Sequence, residues 1–151
     1  MASVYSITTE GEEALAAATA ETLLQLNGVA TCKAKIVQWS VFFDSTSATA
    51  QPVQVKLLRQ TSTGASGSAA SEIKWDPDNP TALLIGLHSF GTNPTAGDVL
   101  EHYNVHPQTG IVVQYPLGRE PTIDNATSSK LGIEVTAPAV VNAVATLVWE
   151  E

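Results

Sequence analysis

Along this chain the apolar positions recur mostly at every second residue, in short stretches separated by turn-forming clusters. The clearest stretch is residues 32–44, CKAKIVQWSVFFD. Val37, Trp39, Val41 and Phe43 share one parity, and Ile36, Gln38, Ser40 and Phe42 share the other. This is the two-residue period of a β-strand, and the β-branched and aromatic content agrees with it. The first face is uniformly large and apolar and should enter a core. The second is mixed, so it should be partly solvated or lie against another chain. No other stretch gathers an indole, two phenyl rings and two valines, so this strand is expected at the centre of the fold.

The same pattern predicts further strands on either side. Residues 4–9 (VYSITT) carry bulky Tyr5 and Ile7 and precede the turn Glu10-Gly11-Glu12-Glu13. Residues 13–26 (EALAAATAETLLQL) are helical by propensity but lack a clean 3.6-residue stripe. Thr22, Leu24 and Leu26 alternate, which favours two short strands near residues 14–18 and 21–26, with a helix as the alternative. Asn27-Gly28 is a turn signal leading into the central strand. Val53, Val55 and Leu57 alternate with polar partners. Residues 61–71 (TSTGASGSAAS) and 91–97 (GTNPTAG) read as surface loops. Residues 82–89 read as a strand, and residues 99–105 and 111–115, joined by HPQTG, as a β-hairpin. Residues 130–136 place Leu131, Ile133 and Val135 on one face. The last strand, residues 140–149, does the same with Val141, Ala143, Ala145, Leu147 and Trp149. Eight to ten short strands without alternating helices predict a single all-β domain: an antiparallel β-sandwich, jelly-roll-like, that buries one face of each strand. Residues 1–10 are expected to form an N-terminal arm or edge strand, and residues 11–151 the sandwich itself.

Composition narrows the functional classes. The chain has 151 residues and a formal net charge of −8, which argues against binding nucleic acid by phosphate neutralisation and against anionic membrane surfaces. Only 15% of residues are charged, well under the usual ~25%, which suits wide neutral surfaces or surfaces covered by partners. Residues 1–13 have neither a basic region nor an apolar core, so no signal peptide is expected. No apolar run approaches the ~20 residues of a membrane span. The single cysteine, Cys32, excludes an internal disulfide framework and reads as a small buried residue at a strand start.

Candidate chemistry is sparse. Nucleophilic catalysis needs an activated hydroxyl or thiol near a histidine and an orienting acid, and no such motif stands out around His88, His102 or His106. His102 and His106 share parity, but along a strand they lie about 13 Å apart, too far to share a metal. Asp76-Pro77-Asp78-Asn79 offers oxygen ligands but lacks the glycine and distant glutamate of a calcium loop, so it reads as a turn. Nothing places Glu101, Glu120, Asp124 or Glu134 in a catalytic pair. The sequon at Asn125 is read as unused. No enzyme activity, metal or cofactor is expected. Trp39 and Trp149 fall on apolar faces and should be core, whereas Trp75, beside a loop, is a candidate surface contact for a sugar or a protein.

Several stretches taken together carry a resemblance: KAKIVQWSVFFDST, PVQVKLLRQTSTG, PTAGDVL, HPQTGIVVQYPLGREP and KLGIEVTAPAVVNAVATLVWEE. Spanning nearly the whole chain, they resemble small β-sandwich proteins of tailed-phage structural modules, of the capsid decoration (cement) type. That resemblance implies a non-enzymatic virion subunit, made in the host cytoplasm. It would bind the major capsid protein on the capsid exterior, commonly as a homotrimer, and brace the head by multivalent contacts. Val4, Tyr5 and Ile7, with the mixed face of the central strand, are then the expected contacts between chains. The alternative is a tail-associated or receptor-binding β-sandwich that recognises glycans, with Trp75 and the two loops lining a groove.

Overall fold

The computed structural model describes residues 2–45 and 51–151. Among these the strands are β1 (Val4–Thr8), β2 (Glu13–Leu15), β3 (Ala20–Asn27), β4 (Ala34–Asp44), β5 (Val53–Gln60), β6 (Ser68–Ala69), β7 (Ile73–Lys74), β8 (Ile85–His88), β9 (Ala96–Val105), β10 (Gly110–Gln114), β11 (Thr122–Ile123), β12 (Lys130–Thr136) and β13 (Val141–Glu150). No helix occurs among the described residues. Sheet I runs β10-β4-β13-β1-β7, with β11 beside β4 and β2 beside β13; sheet II runs β6-β8-β3-β12-β5-β9. All pairings between these strands are antiparallel. The sheets pack face to face as an all-β sandwich, as the alternation predicts. The eight principal strands follow the jelly-roll order, β1-β13-β4-β10 against β3-β12-β5-β9, with β7 and the pair β8–β6 extending one side.

The central strand is β4, and its parity holds for one half. Trp39, Val41 and Phe43 point into the core. Toward its start the register with β13 shifts between Val148 and Trp149, so that Val148 faces Gln38 and Trp149 faces Ile36. Val37 is the extra residue of a β-bulge, which inverts the alternation and turns Ile36 and Ala34 inward. The predicted inward rows of β12 and β13 are all buried.

Residues 13–26 form strands rather than a helix. Ala18, with φ of 56°, and the Ala17–Ala137 bridge break the segment between β2 and β3. The expected hairpin at residues 99–115 does not form: β9 pairs with β5 in sheet II, and β10 pairs with β4 in sheet I. Residues 106–109 are an arch between the sheets. Its turn chemistry is the one expected, with the Thr109 N–H donating to the His106 carbonyl at 3.0 Å, but a local turn does not say whether the chain returns to the same sheet.

The N-terminal segment also departs from expectation. β1 is paired on both sides, to β13 from Val4↔Glu150 to Thr8↔Thr146 and to β7 through Tyr5 and Ser6. Tyr5 and Ile7 are fully buried in the chain's own core. Tyr5 stacks on Trp149 with ring centroids 5.6 Å apart. Ile7 fills the space opposite Gly86, where an added Cβ would lie 2.8 Å from the isoleucine Cγ2. Among the described residues, 2–10 therefore do not stand apart as an arm: β1 completes the first sheet, with Tyr5 stacked on Trp149 of β13 and Ile7 packed against Gly86 of β8.

Candidate functional site

Three surface regions combine chemistry with access. The first is where β8 ends. The Glu-rich turn after β1 carries Glu10 and Glu13 to this end from sheet I. His88 Nδ1 lies 2.7 Å from Ser89 Oγ and 3.3 Å from Glu13 Oε1, and Nε2 lies 4.0 Å from Glu10 Oε2. Ser89 adopts a φ of 51° and its hydroxyl donates to the Glu13 carboxylate. Hydrogen bonds from Ser71 hold the Glu10 carboxyl below its ordinary range, with a smaller contribution from His88. A cleft of about 320 Å³ opens beside them, lined by Glu13, Glu21, Ser89, Phe90 and Asn93 among others. These are the residue types of a hydrolytic triad, but a nucleophilic hydroxyl must give its proton to the imidazole. Ser89 instead donates to Glu13, whose charge would oppose an oxyanion forming there. What the cluster does in this geometry is tie the two sheets together. Sequence reading missed it because its two halves lie 75 residues apart.

The second region is the open edge where β9 and β10 face each other. Trp39 Nε1 donates to the Tyr115 hydroxyl at 3.0 Å, and the Trp39 and Tyr103 rings are tilted with centroids 6.0 Å apart. Glu101 Oε2 is buried there without a hydrogen-bond partner. Burial, and then Glu101, push both phenols above their ordinary value near 10; for Tyr115 the Trp39 N–H works in the opposite direction. Since the folded state favours the neutral phenols, their contribution to stability is complete below about pH 10 and is lost as pH rises through their raised values. The urea midpoint should therefore stay level from pH 8 to pH 9 and fall toward pH 11, with a smaller fall in Tyr115→Phe. An unchanged wild-type midpoint at pH 11 would contradict this cluster.

The third region is the outer face of sheet I. Phe42 of β4 sits opposite Gly110 of β10 and Val144 of β13. Its ring lies over Gly110, where a Cβ would strike it. Phe42, Val112 and Val144 are 47%, 54% and 38% exposed and form an apolar strip across three adjacent strands, with Val140 exposed just before β13. A pocket of about 90 Å³ beside Phe42 and Val144 is rimmed by Glu12, Asp44 and Asn142. This is the mixed face of the central strand. Of the residues expected to contact other chains, Val4 is half-buried, and Tyr5 and Ile7 belong to the core.

Trp75 lies apart from all three regions. It is 61% exposed, whereas Trp39 and Trp149 are fully buried. The loops at residues 61–71 and 91–97 do not join it in a groove. They bridge each other at Ala65 and Thr92, and Asn93 accepts the Thr22 N–H, so they border the His88 cleft instead. His106 Nδ1 accepts the Gln108 N–H in the arch, and His102 is exposed on β9. Among the described residues no three His, Cys, Asp or Glu side chains are placed to hold a metal. Cys32 is half-buried just before β4; burial, and then Glu151, raise its thiol pKa. Glu151 also accepts from the Leu83 N–H and the Trp149 indole.

The fold and these surfaces define an antiparallel β-sandwich with an exposed apolar strip on the outer face of sheet I. In comparisons with known proteins, no family model matches the chain, and no curated protein and no solved structure matches it.

Proposed function

We propose that this protein is a non-enzymatic structural subunit of the capsid-decoration kind, which docks on the major capsid protein at the exterior of a phage head and associates as a homotrimer. The observation that supports this reading is the Phe42–Val144–Val112 strip on the outer face of sheet I. A β-sandwich already has its core between the sheets, so an apolar strip on an outer face has no work within the monomer. Burying such residues is worth roughly 1.5–3 kcal/mol each when complete. A few contacts of that size, repeated over a symmetric shell, give tight binding by avidity without one strong site. The low charge density of the chain favours the same use.

The test is the solution mass by light scattering over a wide concentration range, paired with sedimentation on empty heads of the virus that encodes the chain. Wild type is expected as a trimer that co-sediments. Phe42→Asp, on an exposed side chain, should leave the circular dichroism spectrum unchanged and abolish both. A Phe42→Asp variant that assembles and co-sediments as wild type would sink the reading.

A further inference from the structure

We propose that the cleft at Trp75 is a binding site for one neutral sugar ring, stacked on the indole and read by Asp76 and Asn79. This goes beyond docking through sheet I and uses a different surface: Trp75 follows β7, three strands from β4 in the sheet order.

The argument begins with rigidity. Residues 75–80 (WDPDNP) are pinned at successive points. The Trp75 N–H donates to the Val4 carbonyl at 3.1 Å, and the Asn79 N–H donates to the Asp76 carbonyl at 3.0 Å. The Asp78 N–H donates to Asp76 Oδ1 at 3.0 Å. The Tyr5 hydroxyl, rooted in the core, donates to the Pro80 carbonyl at 3.0 Å. Two prolines restrict the backbone further. A large aromatic ring is thus held in water by a fixed loop, so little ordering entropy is lost when a ligand binds.

The surroundings define the ligand. Ala2, Val4, Trp75, Asp76 and Asn79 line a cleft of about 220 Å³, smaller than the ~300–1,000 Å³ of drug-sized sites, so it suits one ring. The indole offers a flat apolar wall for the C–H face of a pyranose. On the polar side, Asp76 Oδ1 is occupied by the turn, which leaves Oδ2 to accept. The Asn79 side-chain amide has no hydrogen-bond partner among the described residues and offers both donor and acceptor. An acceptor beside a donor–acceptor pair matches adjacent hydroxyls. The carboxylates of Asp76 and Asp78 repel phosphate, and a single aromatic wall does not make the cage that an organic cation requires.

Because the other two tryptophans are fully buried, Trp75 reports on its own occupancy. The purified protein is titrated with glucose, galactose, mannose and N-acetylglucosamine, following tryptophan emission and the protection of Trp75 from N-bromosuccinimide by mass spectrometry. At least one sugar is expected to shift the emission and protect Trp75, with a Kd on the order of millimolar, as for a small site of few contacts. Trp75→Ala should abolish binding, Trp75→Tyr should retain it, and Asn79→Ala should weaken it about tenfold. Phe42→Asp should bind sugar as wild type does, so failure of the docking reading leaves this result standing, and the reverse. No response to any of the four sugars at 100-fold above that range, unchanged affinity in Trp75→Ala, or an equal response to tetramethylammonium would each overturn the proposal.

Discussion

Deletion of residues 2–9 is expected to abolish cooperative folding rather than to detach an arm. β1 lies between β13 and β7 in sheet I, and its removal strips the hydrogen-bond ladder from the edge of β13 along five residue pairs. It also removes two fully buried side chains: the Tyr5 ring stacked on Trp149 and the Ile7 side chain packed opposite Gly86. Ile7→Ala alone should cost about 2–5 kcal/mol, the range for a large-to-small change in a core that cannot collapse. Gly86, which packs against the Ile7 side chain, has no side chain of its own to fill the space. Set against a total stability of ~5–15 kcal/mol, the deletion exceeds what the sandwich can lose. Urea denaturation of Ile7→Ala, and a thermal melt of the deletion followed by circular dichroism, decide it. Thr8→Ala, on an exposed side chain of the same strand whose hydroxyl accepts the Glu10 N–H, is the control and should cost no more than about 1 kcal/mol. A cooperative melt in the deleted chain would mean that β1 is an accessory strand after all.

That β1 is core was half visible in the chain. Tyr5 and Ile7 gave the parity, but nothing local says whether a short terminal strand pairs within its own sheet or with a neighbour's. The partner of β1 is β13, some 140 residues away, and Gly86, which makes room for Ile7, looks like an ordinary glycine of β8. The same limit explains residues 99–115. The turn residues were correct, but alternation on both sides of a turn is the same for a hairpin and for an arch that crosses between sheets. Where strands had one clean apolar face, as in β12 and β13, the inward residues were legible to the position. Where a bulge intervened, as at Val37, the parity was legible only as far as the bulge, because the extra residue is set by pairing with β13 rather than by local sequence. Trp75 was recognisable as exposed because it sits among turn residues. The His88–Ser89–Glu13 cluster was not recognisable, since each residue alone is ordinary.

Gly132→Ala is expected to destabilise the protein by about 3–5 kcal/mol, through the polar side of sheet II rather than its core. On propensity alone the change should help, since glycine inside a strand costs roughly 0.5–1 kcal/mol relative to alanine. The opposite sign follows from what lies above Gly132. The Gln60 side chain crosses it, so that an added Cβ would sit 2.3 Å from Oε1 and 2.5 Å from Cδ. Gln60 Oε1 accepts from Gln25 Nε2 at 2.7 Å, and Gln60 Nε2 donates to Thr22 Oγ1 at 2.9 Å. All three side chains are buried, and Gln25 Oε1 already lacks a partner. Gln60 cannot yield to a methyl group without leaving Thr22 with an unpaired buried hydroxyl and returning Gln25 to its single bond with the Ser62 carbonyl. Each such loss is worth ~1–3 kcal/mol. In a Gln60→Ala background the methyl group has space, so the second substitution should cost far less there, and the double-mutant cycle measured by urea denaturation should show strong coupling. A Gly132→Ala protein as stable as wild type would show that Gln60 does not lie where this reading needs it. The contrast between the two outer faces then bears on docking. On the outer side of sheet II, Gln25 and Gln60 bond to each other and to the Ser62 carbonyl and the Thr22 hydroxyl. Sheet I leaves Phe42, Val112 and Val144 in water side by side across three adjacent strands, the strip that docking would cover.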